Sequence, residues 1–149
     1  MIKEFEKLEV LNGRIDNLCE EYERLRARIV SAGGVSYSDG SGVQTDLDAA
    51  KRRQDARLAK LSDLSIHIDH LLDDYTAKRL ELLRWLTVNE VGLTSLEIAV
   101  IIAKYFEFKR FEEIARSRRV SRSTVYNAFA SARTKIEPVR YEGSVSKHA

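Results

Sequence analysis

The 149-residue chain contains few of the residues and segments that mark exported, membrane-spanning or disulfide-bonded proteins. Cys19 is the only cysteine, so the chain can form no internal disulfide bond and no cysteine-based zinc site. This cysteine usage favours a reducing, cytoplasmic setting. The segment 1–7 has no apolar stretch typical of a secretory signal. The longest apolar run, Ile98–Ala103, has six residues, whereas roughly 20 are needed to cross a bilayer.

Sequence motifs of common enzymes are also missing. The chain has no glycine-rich phosphate loop, no G-x-S-x-G nucleophile elbow and no H-E-x-x-H zinc motif. It also has no nucleophile–base pair and no closed set of metal ligands that the spacing would bring together. We therefore expect a protein that is not an enzyme and that needs no cofactor.

Charge is nearly balanced in total but unevenly distributed along the chain. Lysine and arginine number 25 and aspartate and glutamate 23, which gives a net charge of +2. Residues 1–103 hold 14 basic and 18 acidic residues, whereas residues 104–149 hold 11 and five. A basic C-terminal third on an acidic body favours a polyanionic partner.

Two long helices are predicted in the first 90 residues. The first covers residues 2–31, where apolar residues recur every three or four positions and form a heptad seam. The seam consists of Leu8, Leu11, Ile15, Leu18, Tyr22, Leu25 and Ile29. Four of the seven glycines fall in residues 32–45, which predicts a flexible loop.

The second helix is predicted from Thr45 or Asp46 to about Glu90, with Gly92 as its C-terminal stop. Its apolar positions run from Leu47 to Leu86 in the same three-four rhythm. An antiparallel helical hairpin would bury both seams. We expect the hairpin to act as an oligomerisation arm, a dimer being favoured, and the alternative is that the seams close within one chain.

Residues 93–137 are predicted to form a separate trihelical domain, and residues 138–149 a disordered tail after Pro138. Thr94 and Glu97 have the spacing of a capping box. One apolar helix then runs to Phe106, a short helix covers about 111–117, and a last helix covers 122 to about 136. The predicted fold class is therefore all-α, a long coiled-coil-like N-terminal hairpin followed by this domain.

The stretch Phe111–Phe129 has the residue pattern of a helix-turn-helix. Ser121 is placed to cap the second motif helix. Apolar residues at Val125, Phe129, Ala132 and Ile136 give that helix one buried stripe. The residues predicted to hold the two helices together are Ile114, Ala115, Val120, Val125 and Phe129.

The opposite face of the last helix is small, polar and uncharged, which suits a DNA major groove. Arg122 can reach a guanine edge, and the amide of Asn127 matches adenine. The residues predicted to contact bases are Arg122, Ser123, Tyr126 and Asn127. Those predicted to contact phosphates are Lys104, Lys109, Arg110, Arg118, Arg119, Arg133 and Lys135. The expected partner is double-stranded DNA.

In these residues the chain resembles region 4 of bacterial sigma factors, in the form found in phage regulators of the RinA and ArpU type. The resemblance rests on Glu112–Ala115, Val120–Val125 and Ala130–Ile136, and on the layout of two long helices joined by a Gly/Ser loop that leads into Val43 and Gln44. It implies a sequence-specific transcriptional regulator of phage or prophage origin, a late-gene activator that acts with the RNA polymerase of the bacterial host. In the resembled family the turn between the motif helices usually has Gly, Asp or Asn where this chain has Arg119. A left-handed backbone there would add roughly 1 kcal/mol of strain.

Three other hypotheses remain open at this point. The chain could be a DNA-packaging accessory similar to a small terminase subunit, a polymerase-binding regulator that does not touch DNA, or a structural trihelical unit. A stripe of Asp63, His67, His70 and Asp74 on the second helix has metal-ligand chemistry. We interpret the stripe as a solvated helix face, because one straight stripe rarely encloses an ion.

Overall fold

The computed structural model describes residues 1–33 and 44–142, and the regular elements in this part of the chain are all helical. This confirms the predicted all-α class. The helices are α1 (Ile2–Gly33), α2 (Gln44–Val88), α3 (Ser95–Ile101), α4 (Phe111–Arg118) and α5 (Arg122–Ile136), with a π-helical turn at Ile102–Phe106. Residues 34–43 of the predicted flexible loop lie outside the described residues.

The helices are divided between two compact units, and the division differs from the predicted boundary at residue 92. Unit 1 contains Met1–Asn12 and the described residues from Tyr75 onward, and unit 2 is Gly13–Asp74. The difference arises because Phe5 and Leu8 of α1 and Leu82 and Leu86 of α2 share one core with the trihelical segment. Sequence periodicity marks which face of a helix is buried, but not which element covers it.

Phe5 is central to the core of unit 1. Its side chain is fully buried, and its ring centroid lies 5.9 Å from that of Trp85, 5.7 Å from Tyr105 and 6.0 Å from Phe106. Edge and tilted contacts at these distances are the favoured geometries for aromatic pairs. The first turns of α1 and the last turns of α2 thus pack against the segment in which the helix-turn-helix is predicted.

Asn89, not Gly92, follows the last turn of α2. Asn89 has a left-handed backbone with φ of 53°, a conformation that asparagine tolerates better than most residues. Its side-chain amide donates to the Leu93 carbonyl at 2.9 Å and accepts from the Leu93 amide at 2.7 Å. Gly92 also has a positive φ, 71°, inside this connection. The predicted stop at Gly92 is therefore corrected to Asn89.

Residues 138–142 are packed within unit 1, although the sequence predicts a disordered tail from Pro138. The N-terminal ammonium of Met1 donates to the carbonyl of Val139 at 2.9 Å. The hydroxyl of Tyr141 donates to the Glu81 carboxylate at 2.9 Å and accepts from Lys78 Nζ at 2.9 Å. These partners are distant in sequence, so local composition could not indicate them. Residues 143–149 of the predicted tail lie outside the described part.

Unit 2 contains the two arms of the helical hairpin. Ile15 and Leu25 of the predicted seam are buried, and the Gln54 side chain donates to the carbonyl of Ile29 at 3.3 Å. Members of the seam that are half-buried are Leu11, Leu18, Tyr22 and Ile29, and Leu8 lies in the unit 1 core. The α1 seam is thus covered largely within the single chain, the alternative that the sequence left open.

Candidate nucleic-acid interface

The trihelical segment begins with the predicted capping box, which the structure confirms. The Thr94 hydroxyl accepts from the Glu97 backbone amide at 3.2 Å, and the Glu97 carboxylate accepts from the Thr94 amide at 3.4 Å. Each group satisfies a backbone donor that the first helical turn cannot satisfy itself. Glu97 is buried, so this cap is part of the packed interior.

The helix that starts at this cap changes type at Ile102. The sequence predicts one apolar helix to Phe106, but α3 ends at Ile101 and a π-helical turn follows. The amide of Glu107 donates to the carbonyl of Ile102 at 3.1 Å, a bond spanning five residues. Both Tyr105 and Phe106 are buried in the unit 1 core, and burial raises the pKa of the Tyr105 hydroxyl.

The residues predicted for the helix-turn-helix core lie in one cluster, which has two further buried members. Ile114, Ala115 and Val125 are buried together, and Val120 and Phe129 pack against them. The rings of Phe111 and Phe129 cross at a centroid distance of 5.2 Å. The added members are Val100 and Ala128. Ala128 follows Val125 by about one helical turn, so its spacing could have identified it.

The turn between α4 and α5 contains a residue with a left-handed backbone. Arg119 adopts the left-handed conformation, with φ of 56° and ψ of 41°, and therefore carries the predicted strain of about 1 kcal/mol. Ser121 then caps α5, its hydroxyl accepting from the Thr124 amide at 3.1 Å. This confirms the predicted cap. The turn fixes the direction of α5 relative to α4.

The polar face of α5 is open to solvent. All four residues predicted to contact bases are exposed: Arg122, Ser123, Tyr126 and Asn127. Ala130 and Thr134 continue the same exposed face, while Val125, Ala128, Ala132 and Ile136 form the buried one. The Tyr126 ring remains 59% exposed but leans edge-on against Phe111 at 5.6 Å, which limits its freedom to rotate.

The cations predicted to contact phosphates fall into two groups. Arg110, Arg118 and Arg119 are exposed and form no ion pair with any residue that the structure describes. The other four already have partners within the chain. Lys104 lies over the Phe111 ring, Lys109 pairs with Glu107, Arg133 with Glu6 and Lys135 with Glu97.

Lys135 differs from the other paired cations because its partner is buried. Its Nζ lies 2.7 Å from Glu97 Oε1, and the Glu97 side chain is 6% exposed. Burial raises the pKa of Glu97, but the hydrogen bonds from Lys135 and Thr94 outweigh this and hold that pKa below its ordinary value. Lys135 therefore neutralises an interior carboxylate, and its phosphate contact stays a prediction.

Arg122 also has a partner that the sequence does not indicate. Its Nη1 lies 3.4 Å from Oε1 of Glu112 on α4, and the two side chains are 70% and 61% exposed. Exposed pairs of this kind contribute little to stability. The contact nevertheless places a carboxylate beside the guanidinium at the start of α5.

No protein family, curated protein or solved structure matches the chain. In residues 1–33 and 44–142, no helix combines the length and the apolar character needed to cross a membrane. The same residues contain no group of three or more His, Cys, Asp or Glu side chains placed to hold a metal ion. Asp63, His67, His70 and Asp74 of the predicted stripe are all exposed.

Proposed function

We propose that the protein is a sequence-specific DNA-binding regulator of transcription that inserts α5 into the major groove. The observation that carries the proposal is the exposed face of α5, on which Ser123, Tyr126 and Asn127 lie together without a charged residue among them. Hydroxyl and amide groups of this kind can donate to and accept from base edges. A packed helix-turn-helix core holds the opposite face.

The charges around this face support the same proposal. Arg118 is the last residue of α4, Arg119 lies in the turn before α5, and Arg110 lies immediately before α4. In a helix-turn-helix the second helix enters the groove while the preceding elements approach the backbone. Exposed guanidinium groups at these positions can contact phosphates without first breaking an ion pair described in the structure.

The resemblance to phage regulators of the RinA and ArpU type gives the proposal its finer form. On that basis the protein is a phage or prophage activator of late genes that works with the RNA polymerase of the host. Nothing in the sequence resembles the promoter-melting part of a sigma factor, so polymerase would have to supply promoter opening. The polar face of α5 carries the DNA-binding part of the proposal, and the resemblance alone carries the polymerase part.

Selection of bound duplexes from a random pool tests the DNA-binding part directly. We expect one enriched sequence, to which Asn127→Ala binds about 1–3 kcal/mol more weakly while losing discrimination at one base pair. Arg118→Ala is the matched control, because it should weaken all duplexes alike and reduce the salt dependence by about one ion. Both side chains are exposed, so neither substitution should unfold the protein.

Two results would contradict this proposal. One is the absence of any duplex binding at low salt, and the other is equal behaviour of the Asn127 and Arg118 variants on every duplex. Recovery of polymerase without duplex binding would instead favour the hypothesis that the protein regulates polymerase without touching DNA.

A further inference from the structure

The α2 helix of unit 2 leaves a row of leucines uncovered. Leu47, Leu58 and Leu72 are 54%, 48% and 42% exposed. They are 11 and 14 residues apart, close to three and four turns of about 3.6 residues, so they lie on one side of α2. Leu71, by contrast, is buried and belongs to the neighbouring inward side. The apolar residues of α2 therefore do not form one buried seam. Leu71 is buried within the chain, whereas Leu47, Leu58 and Leu72 remain exposed to solvent.

The exposed leucines lie on a face of α2 that is symmetric along the helix. The positions on this face are Leu47, Gln54, Leu58, Leu61, Ser65 and Leu72, with spacings of seven, four, three, four and seven. Leu47, Leu58 and Leu72 are its exposed members, and Gln54, Leu61 and Ser65 are half-buried. The midpoint falls between Ala59 and Lys60. If a second copy packs antiparallel about a two-fold axis at this midpoint, Leu47 faces Leu72 and Leu58 faces Leu61 of the other chain. Such a surface is self-complementary, as an isologous contact requires.

The charges of α2 change sign at the same midpoint. Residues 47–60 contain five basic and two acidic residues, whereas residues 61–74 contain four aspartates and no lysine or arginine. In the antiparallel pair the basic half of each copy therefore faces the acidic half of the other. In a parallel pair like charges would face each other, which is destabilising.

The chain's own hairpin does not neutralise these charges. In α1, residues 24–31 contain three arginines and no acidic residue, whereas residues 13–23 contain four acidic residues and one arginine. Ile29 contacts Gln54, so the basic part of α1 lies beside the basic part of α2. Among the described residues of unit 2, the one ion pair joins Arg24 to Glu20 within α1.

We propose that two copies of this chain associate antiparallel through the Leu47–Leu58–Leu72 face of α2. The proposal goes beyond DNA binding and does not depend on it. It also replaces the α1 seam, which is covered largely within the chain, with a different surface for self-association. A nucleic acid does not fit this face, because the aspartates of residues 61–74 would repel phosphates along half of its length.

Sedimentation equilibrium of the full chain over a range of concentrations tests the apolar part of the contact. We expect a dimer for the wild type and a monomer for Leu58→Asp, with the dissociation constant raised by about a hundredfold or more. The matched control is Ile66→Asp. Ile66 is 53% exposed but lies off the leucine row, so this variant should dimerise like the wild type.

Charge reversal tests the antiparallel orientation. Lys51 and Asp69 flank the row on either side of the midpoint and lie within one residue of facing each other across the two-fold axis. We expect Lys51→Glu alone and Asp69→Lys alone to weaken the dimer. Each substitution creates a pair of like charges at both of the symmetry-related contacts between residues 51 and 69. An equimolar mixture of the two variants should restore a one-to-one dimer, since every contact is then attractive. Circular dichroism confirms that each variant remains helical.

The proposal is overturned if the wild type is a monomer at every concentration. It is also overturned if Leu58→Asp dimerises as well as Ile66→Asp, or if the two charge variants associate no better mixed than apart. None of these measurements of self-association involves DNA, so their outcome does not depend on whether the proposed function is correct.

Discussion

Glu97 of α3 and Lys135 of α5 form an ion pair with 2.7 Å between Oε1 and Nζ. The Glu97 side chain is 6% exposed and that of Lys135 is 35% exposed, so the carboxylate is interior and the ammonium is at the surface. The same carboxylate completes the capping box with Thr94. One acidic group thus connects the first turn of α3 to the last turn of α5.

Removal of the Lys135 charge should destabilise unit 1. In Lys135→Met the Glu97 carboxylate keeps its buried position but loses its cation, which we expect to cost about 1–3 kcal/mol. Urea denaturation followed by circular dichroism measures the difference in the free energy of unfolding.

The control for this substitution is Lys109→Met. Lys109 pairs with Glu107 at 2.8 Å, nearly the same distance, but the two side chains are 41% and 43% exposed. An exposed pair contributes about 0.5 kcal/mol. Equal losses for the two variants would mean that burial of the acidic partner is irrelevant.

The stability of the protein should fall at acidic pH partly because of Glu97. Burial raises the pKa of Glu97. Hydrogen bonds from Lys135 and Thr94 and the charge of Lys135 lower this pKa by more than burial raises it, so the value in the folded protein lies below the ordinary 4.5. The unfolded chain therefore binds the proton first as pH decreases. The stabilisation is complete above the unfolded pKa and is lost as pH falls through the folded one.

Urea denaturation of the wild type and of Glu97→Gln at a series of pH values between about 7 and about 3 checks this linkage. Glu97→Gln should be less stable near neutrality and should lose less stability on acidification, so that the two curves converge. Glu4 titrates in both proteins with a pKa that Lys7 and Lys78 lower despite its burial. A residual slope is therefore expected in the variant, and parallel curves would exclude a contribution from Glu97.

Much of the fold could be predicted because it depends on neighbouring residues. Apolar spacing defined α4 and α5, and the Thr94–Glu97 capping box needs only residues three apart. The buried stripe of α5 follows from its helical period, and the opposite exposed face follows from the same stripe. The residues proposed to read bases were therefore identifiable without coordinates.

Two of the errors concern contacts between residues far apart in the sequence. The sequence gives no indication that Lys135 is paired, because its partner Glu97 is 38 residues away. Tyr141 looked like part of a loose tail because its partners Lys78 and Glu81 lie more than 50 residues earlier. Charge and composition indicate what a side chain can bind, but only tertiary packing determines which partner it meets.

Arg119 offers a substitution that should stabilise the turn. Its φ of 56° is unfavourable for a side chain with a Cβ atom, whereas glycine adopts this conformation readily. We expect Arg119→Gly to raise the free energy of unfolding by about 0.5–1 kcal/mol. Ser117→Gly, inside α4, is the control and should lower it by about 0.5 kcal/mol. A loss of stability in both variants would contradict strain at Arg119.

The Glu112–Arg122 contact should influence how α5 reads DNA. A bidentate contact with guanine occupies two nitrogens of a guanidinium, and Oε1 of Glu112 lies 3.4 Å from Nη1 of Arg122. Glu112 therefore competes with the base for Arg122. We expect Glu112→Gln to bind the selected duplex more tightly than the wild type does, provided that Arg122 is present.

A double-mutant cycle separates this effect from the general benefit of removing a negative charge near phosphates. Fluorescence anisotropy with the selected duplex would compare Glu112→Gln, Arg122→Ala and the double variant, with an expected coupling of about 0.5–1 kcal/mol. Glu113→Gln removes the neighbouring exposed charge of α4 and should be additive with Arg122→Ala, because no contact joins Glu113 to Arg122 in the described part of the chain. If Glu112→Gln is also additive with Arg122→Ala, the Glu112 carboxylate affects binding only by its general repulsion of phosphates. Arg122 would then contact the base without breaking its ion pair with Glu112.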